Sequence, residues 1–439
     1  MTVVDRTDTI FALSSGKLPS GIAVIRLSGG KTRFVLETIA GGVPPVRLLK
    51  RAEFRDINGL MVDSGLCVYF GSPKSFTGED SAEFHVHGSH SVVRKFAEVL
   101  SGFEGVRPAE AGEFTRRAFL NGKLDLAEAE GLGDLLIAET EAQRRLALSQ
   151  SDGSLSNVYQ NWRERLVYCR SLVEASIDFS EEDDVSASAV AHALMDVSNL
   201  RQEMQSWLER SANSEIVRDG FKVVIVGAPN AGKSSLLNAF AGRDAAIVSD
   251  EPGTTRDLMD VRLDLGGNLV IVTDTAGIRD EPGKIEAIGI KKAVVRADQA
   301  DLVILLEDIA SPVDVELGIS NAKVVRVGNK SDLIESFPSE YDLLISTKTM
   351  DGIDRLLNTI THAAQAIIGG ENILTVQQRQ KVLLSDCVAT LSRCASLGSS
   401  PDLLAEHLRI ATDCIGRLTG HVDVEELLGV IFSRFCIGK

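Results

Sequence analysis

Positive charge is scarce in this 439-residue chain: 62 Asp and Glu outnumber 46 Lys and Arg, and 46 − 62 leaves a net charge of −16. A protein that clamps polyanions with its bulk charge needs a basic surplus, so that class is excluded and any nucleic-acid contact has to be local. Long apolar runs are missing too. Stretches such as Leu302 to Leu306 fall far short of the roughly 20 residues that cross a bilayer. Asp5 and Asp8 stand where a secretory leader would carry positive charge. A cytoplasmic protein with no membrane partner is expected. The six cysteines (Cys67, Cys169, Cys387, Cys394, Cys414, Cys436) form no C-x-x-C pair and have no His at zinc spacing, which points to reduced thiols.

What is present is globular: 44% hydrophobic and 25% charged residues, in a length that suggests about three domains. Residues 18 to about 120 alternate short β-like runs (Ile22 to Leu27, Leu66 to Phe70, Glu83 to His87) with glycine turns, as an α+β domain does. From Leu124 the apolar residues recur at helical spacing and proline is absent through residue 228, which predicts a helical block to about residue 215. Within it the acidic run Asp178 to Asp184 reads as a solvated loop. Between 221 and 365 the continuous runs Lys222–Val226, Leu269–Val272, Leu302–Leu306, Lys323–Val327 and Leu343–Ile345 predict a parallel sheet covered on both faces. After Gly370 the pattern is helical again. Each helical block alone would expose an apolar stripe, so the α/β domain is expected to be inserted into one helical domain. The boundaries are placed at 1–120, 121–217, 218–367 and 368–439.

Chemistry enters at Gly227-Ala-Pro-Asn-Ala-Gly232-Lys233-Ser234, which follows a strand and opens a helix at Ser235. Backbone N–H groups of such a loop face phosphates, Lys233 neutralises the β and γ phosphates, and Ser234 ligates Mg²⁺. Asp274-Thr275-Ala276-Gly277 ends a second strand, where the Asp holds Mg²⁺ through water and the Gly N–H senses the γ-phosphate. Asn329-Lys330-Ser331-Asp332 ends a third; Asp332 accepts hydrogen bonds from N1 and N2 of guanine, which adenine does not offer, so the set selects GTP. Thr254 and Thr255, in the run Glu251 to Asp257, occupy a switch position, and Ser346-Thr347-Lys348 follows the last strand beside the base. After Gly277 stands Ile278, which has no group to orient a water. Either hydrolysis is very slow or Arg256, Arg279, Glu286 or a cation beside Asn230 substitutes, a role worth on the order of 10³ to 10⁵ in rate.

These motifs, with Gly253-Thr-Thr-Arg-Asp257, Ser75-Phe-Thr-Gly-Glu-Asp80, Asn121 to Ala127 and the terminal Arg434-Phe-Cys-Ile-Gly-Lys439, resemble the MnmE (TrmE) family of tRNA modification GTPases over nearly the whole chain. The resemblance implies an N-terminal tetrahydrofolate-binding and dimerising domain and a G domain inserted in a helical one. It implies a homodimer whose G domains meet across GTP with K⁺ in place of an arginine finger. Asn230 matches the side-chain K⁺ ligand, and Ser249, Glu251 and Thr254 match the loop, with Asp250, Pro252 and Gly253, that completes the ion site. Ser234 and Thr255 match the Mg²⁺ ligands, Glu286 the residue that positions water, and Ala231 to Ser235 the phosphate cradle. Arg26, Glu83, Lys123 and Lys439 match positions that bind the folate, a 5,10-methylene or 5-formyl derivative.

The implied function is a K⁺-activated GTPase that, with the flavoprotein MnmG (GidA), adds an aminomethyl or carboxymethylaminomethyl group to C5 of the wobble uridine of certain tRNAs. The motifs alone leave open a regulatory switch of the ribosome-assembly type and a scaffold that binds GTP without hydrolysing it. Cys436 stays open between a nucleophile and a small residue packed in the last helix.

Overall fold

The computed structural model describes residues 8–178, 183–211, 213–247, 260–274, 298–313, 322–334, 339–368, 377–394, 400–422, 425–433, 435 and 438. They divide into two compact units, one of residues up to 133, 151–164 and 413 onward, the other of residues 134–150 and 165–412.

The first unit is built on a six-stranded sheet ordered β3-β4-β5-β2-β1-β6, from β1 (Thr9–Leu13), β2 (Ser20–Ser28), β3 (Lys50–Arg55), β4 (Met61–Phe70), β5 (Ser81–Gly88) and β6 (Val106–Pro108). All pairs are antiparallel except β1 with β6. Helices α1 (Thr32–Ala40) and α2 (His90–Ser101) supply Val35, Leu36, Phe96 and Leu100 to a core shared with the sheet residues Ile25, Phe54 and Phe84. Phe54 meets Phe84 and Phe96 edge-on at 5.6 and 5.4 Å, the arrangement aromatic quadrupoles favour. Helix α3 (Glu113–Leu120) follows.

Helices α4 (Leu126–Ile137), α5 (Glu141–Ser151), α6 (Ser154–Asp178), α7 (Asp183–Arg210) and α8 (Ser214–Asp219) make up the expected helical block. One detail differs: Asp178, Asp183 and Asp184 of the acidic run are helical, as the ends of α6 and α7, so at most four residues separate the two helices. Residues 179–182 of the run lie outside the described residues.

The second unit contains β7 (Phe221–Val226), α9 (Lys233–Ala241), β8 (Asp260–Leu265), β9 (Asn268–Asp274), β10 (Leu302–Asp308), β11 (Lys323–Asn329), β12 (Leu343–Leu344) and α10 (Ile353–Ile368). The order β12-β11-β10-β7-β9-β8 is parallel except at its edge, where β8 runs antiparallel to β9. The five expected runs do pair in parallel, and β8 adds an antiparallel edge beyond them: Asp264 and the two glycines after Leu265 close a hairpin, Gly267 N–H donating to Asp264 Oδ1 at 2.8 Å. The chain order reverses beside β7, which pairs β9 on one side and β10 on the other, and the carboxyl end of such a strand is where an open α/β sheet leaves a crevice. Helices α11 (Gln378–Cys394), α12 (Pro401–Thr419) and α13 (Glu425–Phe432) complete the described chain, none of whose helices is long and apolar enough to cross a membrane.

Helix α5 belongs to the helical block by sequence but packs on the nucleotide sheet. Leu146 is buried in the same core as Val217, Phe221 and Val270, and Ala142 N–H donates to Gly267 O at 3.0 Å in the β8–β9 turn.

Candidate functional site

The loop between β7 and α9 wraps the carboxyl end of the central strand. Two residues hold its shape with left-handed backbone, Asn230 at φ 66° and Gly232 at φ 98°. At Gly232 a Cβ would sit 2.2 Å from Asn329 Nδ2, so only glycine fits. Lys233 is buried at the first turn of α9 and folds its ammonium onto the carbonyls of Gly227 and Ala228, at 2.8 and 2.9 Å. Burial lowers its pKa and the carboxylate of Asp274 partly offsets this. A cation hydrogen-bonded to neutral carbonyls and short of solvent gains from a polyphosphate arriving at the loop.

Ser234 Oγ donates to Asp274 Oδ2 at 3.1 Å, and Asp274 is 3% exposed at the end of β9. Hydroxyl and carboxylate oxygens side by side at a phosphate loop form a hard donor set that fits Mg²⁺. Ala231 is buried, while Asn230 and Ser235 are exposed.

The residues expected to read the base form a second cluster around Asn329, which is fully buried at the end of β11. Its Nδ2 donates to Ala231 O at 2.8 Å and its Oδ1 accepts from Thr347 N–H at 3.2 Å, tying the phosphate loop to the loop after β12. Ser346 Oγ donates to Asp332 Oδ1 at 2.6 Å. That bond above all, with Lys348 and Lys330 nearby, holds the Asp332 carboxyl below its ordinary pKa, so it stays an ionised acceptor. Lys348 is exposed beside it. Thus Ala231, Gly232, Asn329, Asp332, Ser346 and Thr347 are joined by direct bonds or close packing. Ser249, Asp250, Glu251, Pro252, Gly253, Thr254, Thr255, Thr275, Ala276, Gly277, Glu286 and Lys439 lie outside the described residues, as does Cys436.

In the first unit, Arg26 on β2 faces Glu83 on β5 in cross-strand register, Nε and Nη2 donating to Oε1 at 3.2 and 3.1 Å. The guanidinium lies 5.7 Å from the Phe76 ring centre and 5.8 Å from that of Phe114. Among the described residues His85 Nε2 is buried without a hydrogen-bond partner, 3.6 Å from Glu83 Oε2. An imidazole nitrogen, a carboxylate oxygen and an aromatic face together could take up a heteroaromatic ring that carries N–H groups. The stem of Lys123 passes Gly78, where a Cβ would lie 3.3 Å from its Cγ and Cδ. Gly438 lies just beyond the carboxyl end of β1, its carbonyl accepting from Ser14 Oγ at 2.9 Å.

Sequence reasoning missed what holds this corner. In the segment Ser75 to Asp80, Thr77 points inward to Ser28 (Oγ1···Oγ 2.6 Å) and Glu79 takes Ser28 Oγ and Arg117 at 2.8 and 3.1 Å. Arg117 in turn pairs with Glu113, which holds Arg107 through both oxygens at 2.9 and 2.7 Å. The available signal was Glu113 and Arg117 at i, i+4 in α3, a spacing that meets on one helix face.

A parallel sheet with a lysine-bearing loop at its central strand, a serine–aspartate pair beside it and a carboxylate set for guanine defines a P-loop GTPase. A profile described as "GTP-binding protein TrmE N-terminus" matches residues 9–123, and "MnmE helical domain" matches residues 126–436, enclosing the nucleotide sheet. The tRNA modification GTPases MnmE of Mesorhizobium japonicum, Chelativorans sp. and Brucella anthropi are 51%, 50% and 49% identical to this chain, each covering 98% of it and 99%, 98% and 98% of themselves. Among solved structures, the G domain of the T. maritima FeoB iron transporter is 25% identical and covers 33% of this chain and 98% of that one, at a TM-score of 0.27. The chain belongs to the MnmE family of tRNA modification GTPases.

Proposed function

We propose that this GTPase works as a cytoplasmic homodimer with the flavoprotein MnmG, coupling GTP hydrolysis to addition of an aminomethyl or carboxymethylaminomethyl group at C5 of the wobble uridine of tRNA. The observation that carries the reading is the coexistence in one chain of the intact guanine cradle and, in the other unit, the Arg26–Glu83–His85 corner with its unspent polar atoms. A switch alone has no use for the second.

In this reading residues 1–120 bind the folate and dimerise, 121–217 and 368–439 make the helical domain, and 218–367 are the G domain. Lys233 binds the β and γ phosphates, Ser234 and Thr255 hold Mg²⁺ with Asp274 behind them, and Asn329, Asp332 and residues 346–348 take the base. Asn230, with Ser249, Glu251 and Thr254, holds K⁺, and Glu286 orients water in place of a side chain at Ile278. Arg26, Glu83, Lys123 and Lys439 orient a tetrahydrofolate, which when bound supplies the one-carbon unit. MnmG carries most of the tRNA contact, as the charge of −16 on this chain requires.

The test has two arms. Mass analysis of wobble nucleosides from cells lacking the chain should show the C5 group lost and restored by wild type, but not by Glu83→Ala. GTP turnover should be faster in K⁺ than in Na⁺ for wild type and indifferent to the cation in Asn230→Ala. Unchanged nucleosides in the deletion strain refute the modification role; equal turnover in both salts refutes the cation role.

A further inference from the structure

Each side chain of the base-reading motif is anchored on a different element. Asn329 is tied to Ala231 and Thr347, and Asp332 to Ser346. The ammonium of Lys330 reaches the end of β10, where it meets Asp308 Oδ2 at 2.5 Å. We propose that Asp308 is a positioning residue for guanine: by pinning Lys330 it holds the turn that presents Asp332 to the base.

The carboxylate is itself prepared for this. Its other oxygen, Oδ1, accepts the N–H of Ala310 at 3.0 Å, and Asp308 stands opposite Asn329 in the parallel ladder. The next residue closes the junction, Ile309 N–H donating to Asn329 O at 3.2 Å. Its side chain also leaves no room at Gly328, where a Cβ would lie 2.5 Å from Ile309 Cγ2. Strand alternation sends the preceding residue the other way: Glu307 meets Arg326 at 3.4 Å, so Asp308 alone of the two faces Lys330.

Lys330 needs an anchor because its backbone lies in the left-handed region, φ 66° and ψ 38°, where a Cβ crowds the following carbonyl oxygen. Its carbonyl accepts Leu333 N–H at 3.0 Å, turning the chain back through Asp332. The pair is partly covered, 18% exposed at Asp308 and 35% at Lys330, so it is neither a free surface contact nor a fully desolvated one. Without it the turn relaxes and the Asp332 carboxylate loses its aim as acceptor of the two hydrogen bonds that guanine N1–H and N2–H donate.

This inference rests on Asp332 as the guanine-reading carboxylate, and the experiment separates the two. Dissociation constants and release rates for GDP, inosine diphosphate and ADP are measured on the full chain as wild type, Asp308→Ala, Asp308→Asn, Lys330→Met and Asp308→Ala/Lys330→Met. Asp308→Ala should weaken GDP about tenfold, mainly through faster release, and shrink the preference of GDP over inosine diphosphate. Asp308→Asn, which keeps the Ala310 bond and the shape, should lose less and guards against misfolding. In the Lys330→Met background Asp308→Ala should change GDP affinity by less than about twofold. GDP affinity of both Asp308 variants within twofold of wild type, or an equal loss in both backgrounds, overturns the role of Asp308. A wild-type protein that binds ADP as well as GDP overturns the underlying reading of Asp332 instead.

Discussion

Asn329 is the side chain on which the nucleotide cradle closes, and its removal makes a sharp prediction. Asn329→Ala deletes the bond to Ala231 O and the bond from Thr347 N–H, and both partners are left in a site where the asparagine itself was fully buried. Each bond is worth about 1 kcal/mol net, and a stranded buried partner costs about 1–3 kcal/mol, so the loss should be about 2–5 kcal/mol. Because the two partners sit on the phosphate loop and the base loop, much of it should appear as affinity: GDP should bind about 30- to 1000-fold more weakly. Calorimetric titration with GDP measures this, and hydrogen exchange adds a local readout, since the Thr347 amide should lose protection. Gly232→Ala probes the same contact from the other side, its Cβ falling 2.2 Å from Asn329 Nδ2 on a backbone at φ 98°. The clash vanishes when Asn329 is already Ala, so the double variant should lose less than the sum of the singles, the remainder being backbone strain. Asn329→Ala binding GDP within threefold of wild type, or strictly additive losses, would refute the reasoning.

Two further predictions follow from the packing. Burial tends to raise the Glu113 pKa, but the bonds from Arg107, Glu110 N–H and Arg117 outweigh it and hold the carboxyl below its ordinary value of 4.5. Its contribution to stability is therefore complete above pH 4.5 and is lost as the pH falls through the folded value; Glu113→Gln should melt lower at neutral pH and show a flatter acid limb, and parallel melting curves would contradict this. Leu146→Ala should destabilise the second unit by about 2–5 kcal/mol, read as a lower urea midpoint, whereas a midpoint unchanged within error would mean that α5 is not part of that core.

Strands that are buried on both faces were legible because continuous apolar runs have few other uses, and β7, β9, β10 and β11 contain the runs expected. Strands β1, β3 and β8 escaped notice. Lys50–Arg55 alternates exposed and buried residues at a sheet edge, and Asp260–Leu265 mixes charge with apolar side chains, so neither stands out from a loop in composition. The site was legible where chemistry demands a fixed residue type at a fixed spacing, as in Gly232-Lys233-Ser234 and Asn329 to Asp332. It was hidden where a contact spans the chain: Asp308 with Lys330 is 22 residues apart and Glu79 with Arg117 is 38.

By itself the sequence determined the nucleotide class, the enclosure of an α/β domain by helices and the family, because local spacing and apolar periodicity are properties of adjacent residues. Only the tertiary structure decided that α5 seals the nucleotide core, that Thr77 and Glu79 point inward, and that Lys330 is pinned by Asp308. Those outcomes depend on which surfaces meet when the units fold, and no local pattern encodes the partner of a side chain across a sheet.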